Sequence, residues 1–230
     1  MKRVGVKTKV AVFDIDGTIF RSSLQRELIL SLTKYGVFPP LVKKELERDY
    51  YQWLNRRGSY EDYITQVVRS YERRIANVEV SDVKHVAQLV IRDQKDRVYT
   101  YTRELIARLR RTHHLIAISG SPIEIVREFN RYWKFDHVFG TVFATQAGRY
   151  TGKVESLPIA DKLATLSDYI KSKSLNLKGS VGVGDTESDA AFLNVMQRPI
   201  CFNPNKNLYQ IAKRAGWSIV VERKDVVYTM

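Results

Sequence analysis

The run Lys9-Val10-Ala11-Val12-Phe13 constrains the fold most: it is nearly continuous in apolar character and stops at Asp14-Ile15-Asp16-Gly17-Thr18. An alternating pattern would suit a strand with one wet face, whereas a continuous one needs cover on both faces, as inside a parallel sheet. Similar short runs recur at residues 115–118, 180–184, 199–202 and 218–221, each followed by turn residues or the end of the sequence. Helical patterns fill the intervals at 103–111, 123–132, 159–173, 189–196 and 208–215. This alternation predicts an α/β fold built on a doubly wound parallel sheet.

Residues 21–98 break the alternation. Four helix-like stretches (22–35, 41–54, 60–75 and 80–96) follow one another with no competing strand pattern, separated by Gly36-Val37-Phe38-Pro39-Pro40, Gly58-Ser59 and Asn77. Open α/β sheets bind ligands at the carboxyl ends of their strands, so an all-helical insertion directly after the first strand is expected to sit over that edge as a cap. The expected organisation is a core from residues 1–20 and 99–230, with a helical cap from 21–98.

The remaining composition mostly excludes. A 230-residue chain with 44% hydrophobic residues can bury a full core without disulfides or a structural metal. The single cysteine, Cys201, lies in the apolar run Pro199-Ile200-Cys201-Phe202 and is expected to be a buried thiol rather than a nucleophile. The apolar runs are too short for a membrane span, and Met1-Lys2-Arg3-Val4-Gly5 lacks a signal sequence's apolar stretch. A cytoplasmic protein is therefore expected. The net charge of +13 raises the question of nucleic acid, yet the excess is spread out: residues 21–98 hold 15 basic and 11 acidic side chains, the rest 23 and 14. Its densest clusters, Arg108 to Arg111 and Lys171 to Lys173, fall at expected helix ends, where cations complement the backbone dipole. Solvated helix faces are favoured over a nucleic-acid footprint.

Chemistry-bearing residues fall at the expected carboxyl ends of strands: Asp14 and Asp16, Ser119-Gly120-Ser121, and Gly184-Asp185 with Asp189 close behind, while Lys162 lies near the start of a helix. Four converging carboxylates repel one another and call for a divalent cation, and hard oxygen ligands favour Mg²⁺. A serine with adjoining backbone N–H groups ahead of a helix suits phosphate, and a lysine supplies compensating charge. Each piece has a plainer reading. Asp-x-Asp-Gly occurs in ordinary turns and in calcium loops, although the glutamate such a loop needs is Ser23 here. Ser119-Gly120-Ser121-Pro122 could be a helix N-cap with proline in its first turn, and Asp185 and Asp189 could be capping residues. Lys153, in an apparent hairpin, rivals Lys162. His113-His114 has no metal-ligand partner at useful spacing and reads as surface or turn histidine. Tyr50, Tyr51, Trp53, Tyr60 and Tyr63 interleave with arginines and could stack on bases, but at helical spacing they read as a small core of the cap.

Taken together the motifs resemble those of the haloacid dehalogenase-like hydrolases, in the branch that looks like phosphoserine phosphatase. Asp14-Ile15-Asp16-Gly17-Thr18 matches Asp-x-Asp-x-Thr, Ile118-Ser119-Gly120-Ser121 matches the second motif, and Gly184-Asp185-Thr186-Glu187-Ser188-Asp189 matches Gly-Asp-x-x-x-Asp. Residues 140–153 and 203–217 are also similar. The resemblance implies a Rossmann-like core with a helical cap after the first strand and a phosphatase forming an aspartyl phosphate. It implies Asp14 as nucleophile and Asp16 as general acid and base. Mg²⁺ would be held by Asp14, the Asp16 backbone carbonyl and Asp185, with Asp189 behind them; Ser119, the Gly120 N–H and Lys162 would bind the phosphoryl oxygens, and Thr18 would support the loop. One departure bears on substrate: where phosphoserine phosphatases carry a glutamate that reads the substrate amine, this chain has Ser23. A different small organic phosphate is the expected substrate. A phosphotransferase, a phosphatase of nucleic-acid ends, and a basic binding protein with weak or no catalysis are the alternatives.

Overall fold

The computed structural model describes residues 8–230, so the run Met1 to Gly5 lies outside the described residues. Eight strands form one sheet: β1 (Lys9–Asp14), β2 (His113–Pro122), β3 (His137–Gln146), β4 (Arg149–Ser156), β5 (Asn176–Gly184), β6 (Arg198–Phe202), β7 (Ser218–Arg223) and β8 (Val226–Thr229). Their order is β4-β3-β2-β1-β5-β6-β7-β8. The pairings from β3 across to β7 are parallel, and β4 and β8 close the two edges antiparallel. The five apolar runs are β1, β2, β5, β6 and β7. The segments at β3, β4 and β8 carry no such run because they lie toward the edges and keep much of their surface in solvent. Ala147 and Gly148, both with positive φ, make the tight turn joining β3 to β4.

Both faces of the central sheet are buried. Ala11 and Phe13 belong to one apolar cluster and Val10 and Val12 to the other, the period-two consequence of a covered strand. Cys201 lies in the second cluster, and burial pushes its thiol pKa up to about 12, so it behaves as a small hydrophobe. His113 is also accounted for: it lies inside β2 rather than before it, buried, with Nε2 2.9 Å from the Gly179 carbonyl.

The insertion forms α1 (Leu24–Lys34), α2 (Leu41–Leu54), α3 (Tyr60–Glu72) and α4 (Val80–Gln94), close to the expected stretches. Leu28, Leu32, Phe38, Val42, Leu46, Val67 and Tyr71 are fully buried among these helices. The two chain segments that lead into and out of the insertion hold each other: the Arg21 N–H donates to the Arg97 carbonyl and the Tyr99 N–H to that of Ile19, each at 3.0 Å. At the far side, the Asn77 N–H bonds the Tyr150 carbonyl on β4 at 2.8 Å.

The remaining helices are α5 (Thr100–Leu109), α6 (Ile123–Trp133), α7 (Lys162–Ser172), α8 (Ala190–Val195) and α9 (Lys206–Ala215). The Arg108 and Lys171 clusters do fall in the last turns of α5 and α7. Among the described residues no helix is long and apolar enough to cross a membrane.

Candidate active site

From β1 the chain builds outward through β2 and β3 on one side and later through β5, β6 and β7 on the other, which leaves a crevice at the carboxyl ends of β1 and β5. Asp14 is the last residue of β1, and Asp185 follows Gly184 at the end of β5. Neither position could be reached by local folding alone; each carboxylate is carried there by its strand.

Lys162 opens α7, and its ammonium reaches into the crevice, donating to Asp14 Oδ1 at 2.7 Å and Asp189 Oδ1 at 2.6 Å. All three side chains are buried. Burial lowers the affinity of Lys162 for its proton, but the two facing carboxylates outweigh that and hold it charged. Asp189 has its other oxygen engaged as well, accepting from the Asp185 and Thr186 N–H groups at 3.0 and 3.2 Å. It therefore caps its loop and pins the lysine at once. Asp14 differs: its Oδ2 is buried with no hydrogen-bond partner among the described residues. Burial pushes the Asp14 carboxyl up to about 8, against the pull of Lys162 and with the repulsion of Asp189 and Asp16 behind it.

Asp16 sits two residues on and is held by different neighbours. Ser119 Oγ donates to Oδ2 at 2.5 Å, Ser121 Oγ lies 3.1 Å from both oxygens, and the Leu24 N–H donates to Oδ1 at 2.5 Å. Burial raises its pKa and these donors pull it back. The two serines are thus committed to Asp16 and do not cap α6, whose N-cap is Pro122 with no side-chain bond. The sequence points to Ser121 only within the Ser119-Gly120-Ser121 motif, with no role of its own, and does not point to Leu24. The signal for Ser121 was its place two residues after Ser119; nothing marks Leu24, because its contribution is a backbone N–H delivered by the start of α1.

The loop after β1 is shaped by Gly17 and Thr18. Gly17 has φ +84°, and a Cβ there would lie 2.2 Å from Asp185 Oδ2; the buried Thr18 hydroxyl donates to Asp185 Oδ1 at 3.2 Å. Gly17→Ala is expected to cost about 1–3 kcal/mol of stability and to displace Asp185, measurable as a lower thermal midpoint and weakened divalent-cation binding. Gly120 is similarly confined, since a Cβ there would meet Ile159 at 2.8 Å. Lys153, by contrast, is exposed on β4 in the hairpin and takes no part in the crevice.

Asp14, Asp185 and Asp189 each offer a carboxylate oxygen within 4.8 Å of the others. With both Asp189 oxygens engaged, the orphaned Asp14 Oδ2 and the Asp185 carboxylate are the atoms that fit a cation. Burial and the neighbouring Asp14 and Asp189 charges raise the Asp185 pKa well above the usual carboxylate range, a repulsion that a cation would relieve. An all-oxygen donor set of this kind suits Mg²⁺.

The family model described as haloacid dehalogenase-like hydrolase matches residues 11–194. A phosphoserine phosphatase of Mycobacterium tuberculosis is 24% identical over 221 residues, covering 92% of this chain and 70% of that protein. A histidinol-phosphatase of Neisseria meningitidis is 20% identical over 234 residues, covering 92% of this chain and 97% of that protein. Among solved structures, one described as a phospho-aspartyl intermediate analogue of phosphoserine phosphatase superposes with a TM-score of 0.63 at 20% identity, over 95% of both chains. At that identity the last likeness bears on the fold alone.

Proposed function

Because this chain belongs to the haloacid dehalogenase-like hydrolases, we propose that it is a Mg²⁺-dependent phosphatase that hydrolyses a phosphomonoester of a small organic molecule through an aspartyl phosphate on Asp14. One observation carries the reading: a buried lysine clamps Asp14 from one side while the other oxygen of the same carboxylate is left without a partner, beside a second carboxyl held by three donors. A purely structural ion pair would satisfy both oxygens.

In this reading an Asp14 carboxylate oxygen attacks phosphorus as the ester P–O bond breaks. Asp16 gives its proton to the departing alkoxide, then takes one from the water that displaces Asp14 and releases inorganic phosphate. Ser119, Ser121 and the Leu24 N–H hold Asp16 in place for both proton transfers. Lys162 and the Gly120 N–H bind phosphoryl oxygens, and Asp189 keeps Lys162 aimed at them. Asp14 Oδ2, the Asp16 carbonyl and Asp185 would hold Mg²⁺, with Thr18 steadying Asp185. The bound cation supplies charge neutralisation for the phosphoryl group and for the paired carboxylates. The described residues 8–20 together with 99–230 form the catalytic core in this reading, and 21–98 the cap over it. The relatives named as phosphatases of phosphoserine and of histidinol phosphate support a small phosphorylated substrate. The test is a Mg²⁺-dependent screen of phosphate esters against the wild type and Asp14→Asn; activity that survives the substitution would refute the mechanism.

The same site sets a pH dependence. The folded-state pKa of Asp14, about 8, lies above its ordinary 3.8, so the metal-free fold binds this proton more tightly than the unfolded chain does. Its stability therefore falls as pH rises from about 4 to 8. A cation must displace this proton and any on Asp185, whose pKa is raised as well, so cation affinity is expected to climb by roughly tenfold or more per pH unit below pH 8. Thermal midpoints with and without Mg²⁺ at pH 6, 7, 8 and 9 check this; a shift independent of pH would contradict the assignment.

A further inference from the structure

The segment Asn203-Pro204-Asn205-Lys206-Asn207 leads from β6 into α9 and supplies no group to the proposed reaction, yet it lies against the crevice. β5 and β6 pair in the sheet, so the loop that follows one meets the loop that follows the other. Two bonds from Asn205 close them on each other. Its N–H donates to the Asp185 carbonyl at 2.8 Å, and its side-chain Nδ2 donates to Glu187 Oε2. Asn207 Nδ2 donates to the other oxygen of the same carboxylate at 2.7 Å. Asn205 thus grips both ends of Asp185-Thr186-Glu187, and Glu187 grips both asparagines in return.

Asp185 is held at three points. Asp189 Oδ2 takes its N–H at 3.0 Å, the Thr18 hydroxyl its carboxylate at 3.2 Å, and the Asn205 N–H its carbonyl. The third hold comes from outside the crevice. Asn205 has a plainer duty as the N-cap of α9, its Oδ1 accepting from the Leu208 N–H at 2.9 Å. Capping uses that oxygen alone, and serine or aspartate would serve equally. It leaves unexplained the amide nitrogen on Glu187 and the second asparagine beside it.

We infer that Asn205, held by Glu187, is a positioning residue for the cation site, setting the Asp185 carboxylate against the open oxygen of Asp14. The inference rests on the reading of Asp185 as a cation ligand and adds the part that aims it. Asp14 ends β1 and is pinned by Lys162, whereas Asp185 lies one residue beyond β5 and takes its place from what its loop is tied to. Mg²⁺ tolerates little variation in the distance of its oxygens, so a loop displaced by a fraction of an ångström binds it worse.

The pair can be inverted to test this. In the double variant Glu187→Gln with Asn205→Asp, the glutamine amide donates to the aspartate, its oxygen still accepts from Asn207, and the aspartate still caps α9. Net charge is that of the parent. Calorimetric titration of the metal-free proteins with Mg²⁺ is expected to show affinity about tenfold lower in Asn205→Asp, where two carboxylates face each other, and lower also in Glu187→Gln. The double variant should return to within about threefold of the parent. Charge alone forecasts the opposite for Asn205→Asp, since an added carboxylate near the site attracts the cation. Tightened or unchanged binding in that variant, or a double variant no better than the weaker single one, would overturn the positioning role while leaving the cation reading intact. A parent that binds no Mg²⁺ would overturn both. Metal-free thermal midpoints separate a loss of folding from a loss of binding. If Asn205→Asp does not fold, Asn205→Ser keeps the cap, adds no charge and is expected to lower affinity by about threefold or more, and parent-like affinity there would overturn the role.

Discussion

Asp14→Asn is expected to lower phosphate-ester hydrolysis by about 10⁴-fold, because an amide cannot form the acyl phosphate through which the reaction passes. The same change should leave the metal-free protein as stable as the parent or about 1–2 kcal/mol more stable. The carboxyl at this position is buried, one oxygen lacks a partner, and its pKa of about 8 records how strongly the fold resists its charge. Asparagine keeps an oxygen for the Lys162 ammonium and removes the charge. Opposite signs for activity and stability separate a catalytic carboxylate from a structural one, whose replacement would lower both. Turnover at fixed Mg²⁺ and urea denaturation without Mg²⁺ give the two numbers.

Lys162→Met should produce the largest loss of stability in the crevice, about 3–5 kcal/mol, together with loss of activity. The ammonium is the shared partner of Asp14 and Asp189, both buried, and methionine has similar length but no charge. Its removal leaves two carboxylates facing each other in a medium that screens poorly. The cost can be relieved by taking up protons, so the deficit relative to the parent is expected to be smaller at pH 5.5 than at pH 8. A deficit below about 1 kcal/mol at pH 8 would mean that the lysine is no more than a surface-like pair. Arginine would not substitute, since its planar fork is longer and cannot sit between two carboxylates set for a compact ammonium.

Much of the fold could be read from residue order. Continuous apolar runs such as residues 9–13 need cover on both faces, and helical patterns between them supply it, so the parallel sheet and four insertion helices follow from local pattern. The strands β3, next to one edge, and β8, at the other, escaped because β3 is mixed in exposure and β8 is exposed throughout, so neither shows a buried apolar run. Element ends also moved, as when β2 extended at both ends to take in His113 and Pro122. Pairing with β1 and β3 continues a strand where the local sequence alone would stop it.

The site divides in the same way. Asp14, Asp16, Ser119, Asp185 and Asp189 stand out in the sequence because each sits in a short motif after a β-rich run, and strand ends of such a sheet converge. Lys162 carried no such mark against Lys153; only the path of α7 shows which ammonium reaches Asp14 and which stays in solvent on a hairpin. Ser121 and the Leu24 N–H belong to Asp16 through contacts across 105 and 8 positions of chain. The cap rings read as packing from helical spacing, and Tyr63 is buried with Tyr50, Trp53 and Tyr60 packed against the core beside it, while Tyr51 is largely exposed.

By itself, then, the sequence determined the sheet, the inserted helices and the carboxylates of the crevice, since hydrophobic period and the residues that end a strand are local properties. Only the tertiary structure decided which oxygen of Asp14 is left open and which lysine faces it. Those are distances between atoms on separate elements, and no local pattern encodes a distance that the packing of the whole chain sets.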